Sequence, residues 1–201
     1  RIRPHVKIHK SPEIAKRQVA LGAVGVTCAT IAECELMIAH GIRGVLLTRQ
    51  PAGKNNISRA VDLAGKDPTF RVVADDPLTA QTLQQAAEAA KTKVNVVADV
   101  FAGLTRHGIA AGQPALELAQ KIDRASNLRL AGLMGYSGIA SHTKGWEERR
   151  KKSQDDLSGL LQSVDLCRKS GLNVEIVTGG STGTYNIDCD VKGMTELQAG
   201  S

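Results

Sequence analysis

The sequence predicts a (β/α)8 barrel of parallel strands, and three observations carry that expectation. Short β-branched runs alternate with longer helix-forming segments from one end of the chain to the other. Eight such runs can be counted, more than the usual doubly wound sheet uses. The first strand-to-helix junction also lacks the Gly-x-Gly-x-x-Gly of that alternative fold.

Taken in order, the strand runs cover residues 5–9, 24–28, 44–48, 70–75, 94–100, 128–135, 174–178 and 195–198. Between them lie segments 12–21, 31–40, 56–63, 78–90, 114–122 and 146–169, each rich in Ala, Leu, Glu, Gln and Lys, which are strong helix formers. Ser11 and Pro12 open the first helix with a capping hydroxyl and a proline in the first turn. Gly22, Gly41 and Gly171 stand where the first, second and last helices should end. In the charge run of the last helix, Glu147 is expected to face Lys151 and Glu148 to face Lys152, one turn apart on a solvated surface. No repeat, low-complexity tract or linker interrupts the pattern, so residues 1–201 read as one barrel domain lacking its last helix.

Composition removes several function classes. With 201 residues and 42% hydrophobic content the chain can bury a sizeable core. Charged residues at 23% and the lack of any apolar run near the roughly 18 needed to span a bilayer argue against disorder and against a membrane anchor. The 26 Lys and Arg exceed the 20 Asp and Glu, but they are scattered. Aromatics are only 2%, too few for a base-stacking platform, so no nucleic-acid partner is expected. Cys28, Cys34, Cys167 and Cys189 form no Cys-x-x-Cys pair, which suggests reduced thiols and a cytoplasmic location. The chain opens on Arg1 rather than Met and closes on strand-like residues, so it reads as a fragment.

Barrels of this class place their chemistry at the carboxyl ends of the strands, with a phosphate often held after strands seven and eight. The loop after the seventh run is Thr178-Gly179-Gly180-Ser181-Thr182-Gly183-Thr184-Tyr185, whose glycines and hydroxyls suit an anion. Gly200 and Ser201 follow the eighth run. At the other end, strand alternation in Pro4-His5-Val6-Lys7-Ile8-His9-Lys10 points His5, Lys7 and His9 into the barrel and Val6 and Ile8 towards the helices. A desolvated lysine among cations becomes a nucleophilic amine able to form a Schiff base. A phosphate cup and such a lysine together fit pyridoxal 5'-phosphate.

Four stretches carry a family resemblance: Pro4-His5-Val6-Lys7-Ile8-His9-Lys10-Ser11, Gly132-Leu133-Met134-Gly135-Tyr136-Ser137-Gly138, Thr178-Gly179-Gly180-Ser181-Thr182-Gly183-Thr184 and Glu196-Leu197-Gln198-Ala199-Gly200-Ser201. They resemble the D-threonine aldolase and D-serine dehydratase family, which has the alanine racemase-like barrel of fold-type III pyridoxal phosphate enzymes. The resemblance implies that Lys7 carries the cofactor as a Schiff base and that Arg106 approaches its phenolic oxygen. It places Tyr136 beside the pyridine ring and Gln198 at the ring nitrogen, with Gly180, Ser181, Thr182, Gly200 and Ser201 around the phosphate. Phe101 stands where the family commonly has an acidic residue, and His107 replaces a frequent cysteine.

The implied reaction is lysis of a β-hydroxy D-amino acid, by aldol cleavage or by dehydration. A carboxyl-terminal β-domain and its divalent-metal ligands are implied for the complete protein, as is a homodimer. The five histidines show no ligand spacing, so no metal residue is assigned in this chain. The competing readings are a non-catalytic barrel that stores or delivers pyridoxal phosphate, and an amino-acid racemase.

Overall fold

The computed structural model describes residues 1–103 and 106–200. Seven parallel strands lie side by side in chain order, each beside the next in one curled sheet. They are β1 (Thr27–Cys28), β2 (Leu46–Leu47), β3 (Arg71–Ala74), β4 (Val94–Asp99), β5 (Leu128–Gly135), β6 (Ile176–Gly179) and β7 (Glu196–Leu197). Helices α1 (Pro12–Ala20), α2 (Ile31–Ala39), α3 (Gly53–Lys66), α4 (Pro77–Ala89), α5 (Gln113–Arg124) and α6 (Trp146–Lys169) connect them. A single helical turn, α7 (Tyr185–Asp188), follows β6.

The helices start where local chemistry directs. Ser11 Oγ accepts the Ile14 N–H at the head of α1, and Thr30 with Glu33 forms a reciprocal capping box on α2. Asp76 accepts the N–H groups of Leu78 and Thr79 at 2.8 Å ahead of Pro77 on α4. Gly22, Gly41 and Gly171 close α1, α2 and α6 with positive φ. Within α6 the ion pairs fall elsewhere than anticipated: Lys151 meets Asp155 and Lys152 meets Asp156, while Glu147 takes Arg150. All of these are i,i+3 or i,i+4 pairs, and the aspartates one turn further on compete successfully for the lysines.

Strand alternation divides the core in two. Val72, Ala74, Val96, Ala98, Leu130 and Leu133 face outward and pack with helix residues such as Leu83, Leu118, Ile122 and Leu160. Leu46, Val73, Val97, Ala131 and Met134 form a separate cluster that fills the barrel interior. The β4–β5 register slips by one residue between Val96 and Val97, so Ala131 is the extra residue of a bulge. Gly132 follows it at φ +158°, and a Cβ there would stand 1.9 Å from the Ile176 carbonyl oxygen of β6. Only glycine permits that approach.

The eighth strand is a correction. Residues 5–9 do not form one; Val6–Ile8 is a turn of 3-10 helix. The alternation is produced by His5 and His9; the His5 imidazole caps that turn and the His9 imidazole holds the link to α1. His5 Nδ1 accepts the Lys7 N–H, and His9 Nδ1 accepts the Ser11 N–H at 3.0 Å. Pairing occurs earlier: Ile2 bridges Leu197 and His5 bridges Thr27, both parallel, so residues 2–5 sit between β7 and β1 and close the sheet. Arg3, buried inside this seam, makes a bidentate pair with Glu196 at 2.9 Å and also donates to the carbonyls of Val24 and Gly44.

Candidate active site

At the carboxyl ends of the strands a cleft is lined by His5, Lys7, Thr48, Arg106, His107, Met134, Tyr136, Gly180, Ser181 and Gln198. Six of the residues anticipated from sequence thus share one wall surface: Lys7, Arg106, Tyr136, Gly180, Ser181 and Gln198. Thr182 and Gly200 lie beside them without lining it, and the Thr182 hydroxyl accepts the Gly200 N–H at 3.0 Å. Ser201 lies outside the described residues.

Lys7 sits on the 3-10 turn and its side chain is exposed rather than sealed inside the barrel. Ile8 is exposed as well, at 64%, where strand alternation would have buried it against the helices. The turn replaces period-two geometry and explains both. Val6 alone of the expected outward pair is fully buried.

His5 is the buried neighbour of Lys7. Burial, helped by the Lys7 charge, lowers its pKa from 6.5 to about 3, so the imidazole is neutral. With Nδ1 accepting the Lys7 N–H, the proton sits on Nε2, which faces Thr48 Oγ1 at 3.4 Å. Thr48 in turn donates to the Cys28 carbonyl at 3.0 Å, tying the wall to β1.

On the phosphate-cup side, Gly180 has φ +73°, and a Cβ there would lie 2.8 Å from Asp188 Oδ2. Asp188 is buried beneath the loop and accepts the hydroxyls of Ser153 at 2.6 Å and Thr184 at 2.5 Å. Burial raises its pKa, and those two hydrogen bonds pull the other way. Thr184 Oγ1 accepts the Ser181 N–H at 3.2 Å, and Ser141 donates to Ser181 Oγ at 2.6 Å. A chain of hydroxyls thus holds Ser181 in place. Gln198, from the strand after β6, donates its amide N–H to Thr178 Oγ1 at 2.9 Å.

The third wall comes from the loop after β4. Asp99, fully buried, accepts the His107 Nδ1–H at 2.7 Å. His107 Nε2 stands 3.3 Å from Arg106 Nη2, and its ring lies nearly parallel to Tyr136 at 6.5 Å. Phe101 is not among the lining residues and is 39% exposed. His5, Thr48, His107, Met134 and the supporting Asp99 were not assigned to the site from sequence. Their signal was position: Thr48 ends the third run and Asp99 nearly ends the fifth, where barrel chemistry gathers.

A parallel barrel with a lysine, an arginine and a hydroxyl loop in one cleft defines a cofactor-binding barrel of the alanine racemase class. The chain belongs to the alanine racemase N-terminal domain family, whose model matches residues 1–201. This is a fold-type III family dependent on pyridoxal phosphate. The chain is 32% identical to a 3-hydroxy-D-aspartate aldolase of Paracoccus denitrificans over 202 residues, and 32% to a D-threonine aldolase of Arthrobacter sp. over 200. The whole chain is covered, but only 52% of each relative, so it spans about half their length. Among solved structures, D-threonine aldolase from Filomicrobium marinum superposes with a TM-score of 0.96 at 36% identity, covering all of this chain and 54% of that one.

The donor set fits pyridoxal phosphate. The cleft brings together an amine at Lys7, a guanidinium at Arg106 and a glycine and hydroxyl at Gly180 and Ser181, groups that would suit its aldehyde, phenolic oxygen and phosphate. Among the described residues no three His, Cys, Asp or Glu side chains cluster to hold a metal, and no helix is long and apolar enough to cross a membrane.

Proposed function

We propose that the protein is a pyridoxal phosphate-dependent lyase acting on β-hydroxy D-amino acids, with residues 1–201 forming its cofactor-binding barrel. One observation carries the reading: Lys7 opens into the same cleft as Arg106, Tyr136, Gly180, Ser181 and Gln198. The names of the relatives support the class, since they are aldolases of D-threonine and 3-hydroxy-D-aspartate and, at 28% identity, a D-threo-3-hydroxyaspartate dehydratase.

Bound pyridoxal phosphate supplies a conjugated ring that accepts the electron pair released at the substrate's Cα. Lys7 would hold the cofactor by its aldehyde carbon. Gly180, Ser181, Thr182, Gly200 and Ser201 would hold the phosphate, Arg106 the phenolic oxygen, and Tyr136 one side of the ring. Gln198 is uncharged, so it would meet the ring nitrogen without holding a full pyridinium charge. The Lys7 amine, once released by the substrate, reaches the cleft from an exposed turn and would carry a proton to or from the reacting atoms. His5 beside it is neutral and accepts the Lys7 backbone N–H, which leaves the amine as the movable proton carrier on that wall.

The same reading sets the enzyme in the cytoplasm, where its four free cysteines stay reduced, and pairs two copies of the full protein. The test is to add pyridoxal phosphate, reduce with borohydride and map the adduct by peptide mass spectrometry. A single pyridoxyl group on Lys7, lost in Lys7→Ala, is expected; an adduct elsewhere sinks the assignment. Products then separate the reactions: glycine and an aldehyde mark cleavage, a keto acid and ammonia mark dehydration.

A further inference from the structure

We infer that His107 is a positioning residue that links the buried Asp99 carboxylate to Arg106 and so sets where the Arg106 guanidinium stands in the cleft. The inference rests on the reading above, in which Arg106 faces the cofactor.

The geometry assigns the protons. Asp99 is fully buried and its Oδ2 lies 2.7 Å from His107 Nδ1, so Nδ1 carries the hydrogen. A guanidinium has donors and no acceptor. The 3.3 Å contact from Arg106 Nη2 is therefore a hydrogen bond only if His107 Nε2 offers a lone pair, which the neutral Nδ1–H tautomer does. The three groups form one polarised line: carboxylate, imidazole, guanidinium.

Two further observations set the line apart from ordinary loop packing. Asp99 Oδ1 is buried with no hydrogen-bond partner, so His107 is the carboxylate's hydrogen-bonded outlet among the described residues. Buried carboxylates are normally hydrogen-bonded on both oxygens, so with Oδ1 bare the hydrogen bond to His107 is the one that compensates Asp99. His107 is also held as a rigid body, with its ring stacked on Tyr136 and only 12% of its side chain exposed. The next residue is anchored too, since Gly108 N–H donates to Asp75 Oδ2 at 3.1 Å. Arg106, by contrast, is exposed, and His107 is the partner that orients it.

Isosteric variants separate the two ends of the imidazole. An asparagine at 107 retains an N–H where Nδ1 stood but has nothing where Nε2 stood; a glutamine reaches the Nε2 position. In the full protein, apparent affinity for pyridoxal phosphate and the position of its visible absorbance band would be measured for His107→Asn, His107→Gln, Arg106→Gln and the double variant His107→Asn/Arg106→Gln. His107→Asn should weaken cofactor binding about fivefold to tenfold and shift the band, within the usual coupling between residues of one network. His107→Gln keeps the contact to Arg106 but loses the hydrogen to Asp99, so it should recover only part of the loss; full recovery would show that Asp99 contributes nothing through His107 and would overturn the inference. In the Arg106→Gln background, His107→Asn should change affinity by less than about twofold.

Independent, multiplying losses in the double variant would overturn the positioning role while leaving the cofactor reading intact. Arg106→Gln with unchanged affinity and band would also overturn it. Absence of any Lys7-linked band in the unsubstituted protein would overturn the cofactor reading itself. Thermal melts of each variant separate loss of fold from loss of coupling, and Asp99→Asn repeats the test from the other end of the line.

Discussion

Two aspartates are buried beneath the cleft, and their surroundings differ in kind. Asp188, in the turn after β6, has both oxygens filled by hydroxyls from Ser153 and Thr184. Asp99, at the end of β4, has one oxygen on His107 and the other bare. Burial raises the pKa of both. The contrast separates two uses of a buried carboxylate. A fully satisfied one organises a loop, whereas a half-satisfied one depends on the single neighbour that hydrogen-bonds to it.

The largest expected effect tests the first use. Asp188→Ala removes the acceptor of two buried hydroxyls and should cost about 2–6 kcal/mol, at about 1–3 for each lost buried hydrogen bond. It should be visible as a lower urea midpoint with an unchanged slope. A cost below that of a surface substitution would break the comparison. Gly180→Ala should be next, at about 1–2 kcal/mol for a left-handed alanine, with extra loss from the 2.8 Å contact onto Asp188. If Asp188→Ala relieves that extra loss in the double variant, the contact is confirmed.

His5 gives a third test through pH. Its folded pKa, near 3, lies below the unfolded 6.5, so the unfolded chain binds the proton first. Its stabilising contribution is complete above pH 6.5 and is lost as pH falls towards 3. Lowering pH from 6 to 5 should therefore cost about 1 kcal/mol more in the native protein than in His5→Asn, by the 1.4 kcal/mol per pH unit that one proton carries. Asp99 and Asp188 tilt the other way, since raised carboxyls stabilise at low pH and lose that contribution as pH rises; the His5→Asn reference subtracts them. Equal slopes in the two proteins would mean that His5 is protonated in place. The smallest effect belongs to Asp99→Asn, whose stability should stay within about 1 kcal/mol because a half-paired buried charge contributes little net. A loss as large as that of Asp188→Ala would erase the distinction.

The helices were legible because caps and prolines act locally: residues 146–169 were delimited in full, and α1 and α2 to within a residue of their ends. Strands were located but overextended, since the sheet takes only the last two residues of run 24–28 and the middle of run 44–48. The first run failed because His5 and His9 imitate strand alternation while their imidazoles accept the backbone N–H groups of Lys7, in a turn, and of Ser11, beyond it. At the site, residues in distinctive motifs (Lys7, Gly180, Ser181, Gln198) came from the sequence. Asp99, His5 and Thr48 did not, because burial and tautomer depend on neighbours from distant strands. The glycine-rich loop read as an anion cup, and its foundation, Asp188 on α7, has no local signature.

The seam between residues 2–5 and β7 also has a history in time. Arg3 and Glu196 are separated by 193 positions, yet they meet in one bidentate pair. At about 5–20 residues per second of synthesis, the arginine waits roughly 10–40 s for its partner to be made. During that interval residues 2–5 can pair with β1 on one side but have no neighbour on the other. The segment carrying β7 therefore completes the one carrying Arg3, and until it is made the open edge is available for pairing with another chain.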